Sequence, residues 1–199
     1  RQITLFLGPG DAAGIARTRR HMIDCRGYAD VAFDHVSVGQ GDVLGTVGKG
    51  RACLDRVLDV TTAAVAAEAF GLATQAFETT LEYLKVREQF GQRIGSFQAL
   101  QHRAAKMFTD LQLARPTLDE ALSALDEGAE DAPALVSLAK ATVNDLAHGI
   151  SREMIQMHGG IGMTDAHDAG FYLKRARALE SAFGTSAYHR ERYGRLFGI

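Results

Sequence analysis

The chain has 199 residues, which is enough for one large domain or for one domain with a piece of another. Its formal net charge of −2 gives no overall basic field for nucleic acid, and no apolar run reaches membrane-spanning length, so we expect neither partner. Cys25 and Cys53 have neither metal-ligand spacing nor a disulfide pattern, which favours a reducing, cytoplasmic compartment.

The first fifty residues are typical of strands and turns. Residues 3–7 predict a strand that ends in a glycine–proline turn, and residues 28–38 alternate in polarity as a half-buried strand does. The glycine-rich residues 39–50 predict a loop and a domain boundary at residue 50. Since two or three strands do not easily make a stable sheet, residues 1–50 are expected to be the end of a larger β domain that begins upstream of Arg1.

A short basic cluster lies between these two predicted strands. It consists of Arg17, Arg19, Arg20 and His21. An anion or nucleotide site is one interpretation of such a cluster, and a solvated loop is the interpretation we favour.

From residue 51 onward the composition predicts helices. Residues 51–87 contain no proline and are rich in helix-forming residues, which predicts one helix of roughly 55 Å. Its middle, residues 57–73, is apolar almost all round and is therefore expected to be buried among other helices. Ser96 is a candidate N-cap for a second helix. Residues 132–158 predict a third helix, with Pro133 in the first turn, where proline is tolerated.

The end of the chain completes the predicted bundle. Glycine-rich residues 159–162 end the third helix, and Thr164 or Asp165 is a candidate cap for a fourth. A last short helix follows the break at residues 184–186. Long helices with short polar joints predict a mainly α fold, with an up-and-down four-helix bundle over residues 51–199.

The most informative stretch is the polar elbow at residues 87–98, between the first two helices. It combines two arginines, two glutamine amides and two phenylalanines: Arg87, Arg93, Gln89, Gln98, Phe90 and Phe97. Arginine offers a fork of donors to phosphate oxygens, glutamine can bond to the edge of a ring, and phenylalanine supplies a flat apolar wall. The elbow therefore predicts either a site for an anionic, planar ligand or a solvated turn between helices.

Two other constellations carry weaker signals. The glycine-rich residues 159–162 could allow a ligand to approach the backbone, but they have the context of neither a dinucleotide fingerprint nor a phosphate loop. Asp165, His167 and Asp168 could be imagined as metal ligands. Their helical angles place His167 away from the two aspartates, so a metal is disfavoured.

Three groups of residues together resemble the acyl-CoA dehydrogenase family over essentially the whole chain. The elbow resembles one family signature through Tyr83, Arg87, Gln89, Phe90, Gly91, Ile94, Phe97 and Gln98. A second signature is similar to residues 156–162, followed by Asp165 and residues 173–177. Residues 31–38 and 44–50 resemble the end of the middle β domain of the family.

This resemblance implies FAD as the cofactor, bound across a subunit interface, and an acyl-CoA thioester as the substrate. It also implies a homo- or hetero-oligomer, a dimer or tetramer with an acyl-CoA dehydrogenase subunit. The residues that match cofactor-binding positions of the family are Arg87, Gln89, Phe90, Gln98, Gln156, Gly159, Gly160 and Thr185.

The sequence departs from the family pattern at the catalytic base. The reaction needs a carboxylate that removes the α proton of the thioester. The usual glutamate position, directly before Gly184, is occupied by Phe183, and the alternative position on the first bundle helix is occupied by Thr61. Asp59 and Glu68 lie on the same helix but are offset from that position.

Two explanations of this departure are open. In the favoured one, the chain has no catalytic residue of its own and is a subunit that completes the FAD site of a partner carrying the glutamate, as in heteromeric bacterial enzymes of steroid breakdown. In the other, Glu180 takes the role of the base. A separate hypothesis is a non-enzymatic helical assembly module that binds neither flavin nor acyl-CoA.

Overall fold

The structure is a computed structural model that describes residues 2–199. It separates into two compact units, one up to Asp59 and one from Val60 to Ile199. The domain boundary expected at residue 50 stays a prediction.

The first unit contains two small antiparallel strand pairs. Strand β1 (Leu5–Phe6) pairs with β4 (Val43–Leu44), and β2 (Ile15–His21) pairs with β3 (Gly27–Phe33). The favoured loop at Arg17–His21 was wrong, because these residues form β2 and Arg20 makes an ion pair with Asp30 of β3. Almost all residues of β2 are exposed and several are basic, so the strand does not show the alternation of polar and apolar residues by which strands are predicted.

The two predicted strands are shorter than the sequence indicated. The first is reduced to the two residues of β1, and the second ends at Phe33 and does not continue to residue 38. His35 has a positive φ of 50°, which is incompatible with extended backbone and explains the early end of the strand.

The second unit is helical, and the mainly α bundle fold is confirmed. The helices are α1 (Arg51–Val86), which begins in the first unit, α2 (Gln98–Glu127), α3 (Ala132–His158), α4 (Ala169–Ser181) and α5 (Ser186–Phe197). Pro133 lies in the first turn of α3, and a left-handed Gly128 ends α2. The α3 helix has the bounds that the sequence predicted.

Helix starts were predicted less accurately. The N-cap of α2 is Phe97 and not Ser96, whose hydroxyl instead donates to the carbonyl oxygen of Arg93. Helix α4 starts at Ala169 after the N-cap Asp168, because a short 3₁₀ turn at Gly159–Met163 and a polar loop delay the next helix. Thr164 and Asp165 therefore do not cap α4.

The core of the bundle lies between α1, α2, α3 and α4. On α1 the buried positions are small, and on the other helices larger apolar side chains face them. The small side chains of α1 and the larger ones of the other helices fill this core together. The principal members of this core are Ala66, Ala69, Ala73, Ala76, Met107, Leu111, Val143, Ile150, Met154 and Leu179.

Within residues 2–199, one helix, α1, has the length and the apolar composition that crossing a membrane would require. Asp59 and Glu68 interrupt the apolar run of this helix, so the sequence alone does not predict a span. The core helix of a soluble protein meets the same criterion. The expected lack of a membrane span stays a prediction.

Candidate functional site

The polar elbow is a β-hairpin. Strand β5 (Glu88–Gln89) pairs with β6 (Gln92–Arg93), and the two-residue turn between them is Phe90–Gly91. Both turn residues have positive φ, 55° for Phe90 and 77° for Gly91, as hairpin turns of this type require. The backbone N–H of Arg87 donates to Tyr83 O (2.9 Å), and Ile94 N–H donates to Arg87 O (2.8 Å). The hairpin is therefore connected directly to the end of α1.

The side chains of the hairpin face outward. Phe90 is 91% exposed, and its ring meets Phe97 edge-on with 6.1 Å between centroids. Arg87, Gln89 and Gln98 are exposed as well. An exposed guanidinium beside an exposed aromatic ring can bind a planar, negatively charged group.

The second predicted group of residues lies at the C-terminus of α3. Gly159 caps the helix with a positive φ of 65°, and Gly159 and Gly160 are exposed with open space where a Cβ atom would be. Gln156 lines a groove of about 460 Å³ between α2 and α3, together with Arg103 and Lys106. This groove supplies cationic groups beside the glutamine amide.

An aromatic stack joins the C-terminal part of α1 to the end of α3. The Tyr83 ring lies 4.3 Å from the ring of His158, and His167 lies 4.2 Å from His158 on centroid distances. His158 Nδ1–H donates to Met154 O at 2.7 Å, while its buried Nε2 has no partner among the described residues. Burial lowers the pKa of His158, so the ring is neutral at pH 7.

These contacts define one end of the bundle, which we call the hairpin end. It comprises the C-termini of α1 and α3 and the start of α2. An ion pair of 2.8 Å between Arg103 of α2 and Glu153 of α3 connects the last two. Seven of the eight predicted cofactor residues lie there: Arg87, Gln89, Phe90, Gln98, Gln156, Gly159 and Gly160.

Thr185 lies near the opposite end of α3. It is the N-cap of α5, and its hydroxyl accepts a hydrogen bond from Tyr188 N–H. The adjacent Gly184 carbonyl lies 3.5 Å from Lys140 Nζ, near the start of α3. Because Lys140 and His158 are 18 positions apart on one helix, about 27 Å of helix separates the two regions. One chain therefore does not bring Thr185 together with the other seven residues.

The two positions where the family would place a base contain no carboxylate. Phe183 is 47% exposed in a left-handed conformation (φ 57°), and Thr61 is half-buried. Glu68 makes a two-pronged contact with Arg175 of α4 at 2.7–2.9 Å, and Glu180 pairs with Arg177. Both glutamates are thus engaged in ion pairs within the bundle.

Sequence reasoning missed a buried polar cluster beside Thr185. Lys140, Asn144 and His189 are each at least 98% buried, and we call them the Lys140 cluster. Lys140 lies within the apolar stripe of α3, and that helical spacing was the available signal. Burial lowers the pKa of Lys140 to about 8, although the nearby Glu180 carboxylate opposes the shift.

No group of three potential metal-ligating side chains occurs within residues 2–199. The disfavoured metal at residues 165–168 gains no support from the geometry, since His167 Nδ1 accepts a hydrogen bond from Ala169 N–H. The chemistry of the hairpin end fits the nucleotide part of FAD better: a guanidinium for the diphosphate, amides for polar edges and exposed glycines for close approach.

Comparison with known proteins places this geometry in context. Residues 48–196 match the family model described as "Acyl-CoA dehydrogenase, C-terminal domain". The short/branched chain specific acyl-CoA dehydrogenase of Bos taurus mitochondria is 33% identical over 189 residues, which cover 92% of this chain and 43% of that protein.

Two solved structures are similar along nearly all of the chain. Butyryl-CoA dehydrogenase from Megasphaera elsdenii superposes with a TM-score of 0.93 at 25% identity, covering 100% of this chain and 52% of that one. The ChsE4–ChsE5 complex from Mycobacterium tuberculosis gives a TM-score of 0.89 at 25% identity, covering 98% and 52%. The chain therefore spans about half the length of the proteins that it matches.

Proposed function

Because the chain belongs to the acyl-CoA dehydrogenase family, we propose that it supplies the C-terminal part of an FAD-dependent acyl-CoA dehydrogenase. The reaction removes a proton from Cα and a hydride from Cβ of an acyl-CoA thioester, leaving a double bond between these carbons. FAD, when bound, would accept the hydride, and a carboxylate base would accept the proton. Binding and orienting the cofactor is the work of this chain's own residues.

The observation that carries the proposal is the separation of the predicted cofactor residues into two regions. Seven are at the hairpin end, and Thr185 is about 27 Å of helix away. Such a separation supports a site in which the hairpin end of one subunit meets the Thr185 region of another. We propose that FAD lies across that subunit interface.

Each region would have its own part in binding. The Arg87 guanidinium would bond to the FAD diphosphate, with Phe90 and Gln89 beside the adenosine and Gln98 next to them. Gln156 would contact the ADP part, and Gly159 and Gly160 would allow its close approach. Thr185 would donate a hydrogen bond from its hydroxyl to the cofactor bound mainly by the other subunit.

We further propose that the base comes from another subunit. Phe183 and Thr61 cannot accept a proton, and Glu68 and Glu180 are already engaged in ion pairs. The ChsE4–ChsE5 structure is a complex of two components, which supports a heteromeric arrangement for the present chain as well. An acyl-CoA substrate and a cytoplasmic location belong to the same proposal.

The test is flavin retention by the complete protein, co-purified with its partner. Arg87→Ala is expected to weaken flavin binding about tenfold or more, because it removes a charge-assisted hydrogen bond to phosphate. Arg93→Ala is the matched control, since Arg93 lies in the same hairpin and matches no assigned cofactor position. Flavin content is measured from the visible absorbance of the purified complex.

Two results would contradict the assignment. One is flavin retention that Arg87→Ala leaves unchanged. The other is a colourless wild-type complex that does not take up added FAD, which would favour the non-enzymatic assembly module.

A further inference from the structure

The Lys140 cluster has no role in the proposed chemistry, yet its bonds converge on the segment that contains Thr185. Lys140 is fully buried, and its ammonium has three acceptors. They are Asn144 Oδ1 at 2.6 Å, Leu179 O at 2.9 Å and Gly184 O at 3.5 Å. The last two belong to the end of α4 and to the loop before α5.

The other two members of the cluster bond to the same segment. Asn144 Nδ2–H donates to Glu180 O at 3.3 Å, and His189 Nε2–H donates to Phe183 O at 3.1 Å. Four carbonyl groups between residues 179 and 184 are therefore bonded to three buried side chains. A helix leaves its last carbonyls without intrahelical donors, and here a cation and an amide supply donors to them.

The conformation that these bonds stabilise is an unusual one. Phe183 has a φ of 57°, a region that bulky residues rarely occupy. Gly184 has a φ of 119°, and a Cβ atom there would lie 2.5 Å from the Tyr188 ring. A backbone in such a conformation persists only where its surroundings hold it there. The hydrogen bonds from the Lys140 cluster hold residues 183 and 184 in this conformation.

We propose that Lys140 is a positioning residue, which fixes the backbone of residues 183–185 so that Thr185 is presented to the cofactor. The presentation of Thr185 to a cofactor rests on the proposed function, but the fixing of residues 183–185 by Lys140 can be measured without flavin. An ammonium buried at this position costs free energy, whereas a methionine of similar length would fill the space without that cost. A purely space-filling role would not require the charge.

The protonation state of Lys140 matters to this role. An ammonium has three protons to donate, whereas a neutral amine has two, and the contact with Gly184 O is the longest of the three. The groups that act on the amine are Glu180 of α4, Asn144 of α3 and His189 of α5, and Arg192 of α5 acts in turn on His189. Loss of the proton should release the loop before it releases the end of α4.

The experiment is hydrogen–deuterium exchange of the chain, followed by mass spectrometry. In Lys140→Met we expect the peptide spanning residues 182–188 to exchange about tenfold faster, as for the loss of one charge-assisted hydrogen bond. Peptides from α2 should not change. Lys174→Met is the matched control, because Lys174 is an exposed lysine on α4 that lies over the Phe171 ring.

Unchanged exchange of residues 182–188 in a folded Lys140→Met protein would overturn the proposal, and so would equal acceleration in every peptide. If the variant does not fold, the wild type answers the question. The ratio of its protection factor at residues 182–188 to that of α2 should then fall as pH rises past about 8, because overall stability changes with pH whereas only the loop loses a donor. A ratio that stays constant or rises would overturn the proposal.

A second readout separates this inference from the proposed function. In the complex with its partner, Lys140→Met should release flavin about tenfold faster than wild type. A wild-type complex without flavin would overturn the proposed function and leave the fixing of residues 183–185 supported by exchange. Flavin release that equals wild type, together with accelerated exchange, would overturn the purpose assigned to Lys140.

Discussion

Lys140 and His189 are the two residues whose surroundings change their chemistry most. Burial lowers the pKa of Lys140 to about 8 and that of His189 to about 4, because both charged forms lose their hydration in the bundle. The neutral His189 ring can donate from Nε2 to Phe183 O while its Nδ1 has no partner among the described residues. At pH 7 Lys140 is therefore still a cation and His189 is neutral, and in these states both side chains can donate to the carbonyl groups of the loop.

The lowered pKa of Lys140 has a consequence for stability. Between about pH 8 and 10.5 the unfolded chain still binds the Lys140 proton and the native chain does not. Stability therefore rises with pH in this window, by up to about 1.4 kcal/mol for each pH unit. The difference in the free energy of unfolding between wild type and Lys140→Met should therefore change in favour of wild type as the pH rises from about 8 to 10.5.

Chemical unfolding of both proteins at the two pH limits measures this difference, and comparison of the two cancels the contributions of other groups. A difference that decreases as pH rises would show that Lys140 is charged in the native state throughout. The buried environment described above would then be inconsistent with the measured titration.

At the scale of elements, the connections at the ends of α3 decide where functional groups lie. The Tyr83–His158 contact joins α1 to α3, and the 3₁₀ turn after His158 returns closely along α3. A Cβ atom on Gly162 would lie 2.8 Å from Ile155 O, so this turn needs glycine for space. Gly149, by contrast, is exposed in the middle of α3 with open space around it.

These two glycines give a matched pair of substitutions with opposite signs. Gly162→Ala is expected to lower the free energy of unfolding by about 1–3 kcal/mol, because backbone atoms must move. Gly149→Ala should raise it by about 0.5–1 kcal/mol, since alanine favours helix and nothing obstructs it. Thermal or urea unfolding measures both. Equal effects of the two substitutions would contradict the close packing at Gly162.

The elements themselves were partly predictable from the sequence, for local reasons. Pro133 and Gly159 mark the ends of α3 through backbone geometry alone, so its bounds were correct. Strand β2 was missed because pairing, and not polarity, makes Arg17–His21 extended. The Lys140 cluster was missed because its three members lie on two helices, and only folding brings His189 to α3.

At the scale of the whole molecule, the predicted cofactor residues lie in two regions. Seven lie at the hairpin end, Thr185 lies near the opposite end of α3, and the two predicted base positions are occupied by Phe183 and Thr61. The motifs in the elbow and the match to the family model both indicate the acyl-CoA dehydrogenase family, so membership could be predicted from the sequence. The distance between the two regions could not, because it depends on how the helices pack.

The remaining candidate base within this chain can be tested directly. Glu180→Gln in the complete complex is expected to change kcat by less than about threefold, since Glu180 pairs with Arg177 and is not the base in our proposal. Steady-state dehydrogenation with an artificial electron acceptor measures kcat. A loss of about 10²-fold or more, the range for removal of a general base, would assign the role to Glu180.

The distance along α3 between Thr185 and the hairpin end also has a genetic consequence. In a pair made of this chain and a different partner, each of the two pockets takes its hairpin end from one polypeptide and its threonine region from the other. Arg87→Ala would then damage one pocket of the pair, and a substitution of Thr185 would damage the other. Two damaged copies of this chain would not rescue each other on co-expression, whereas copies that pair with each other would show intragenic complementation.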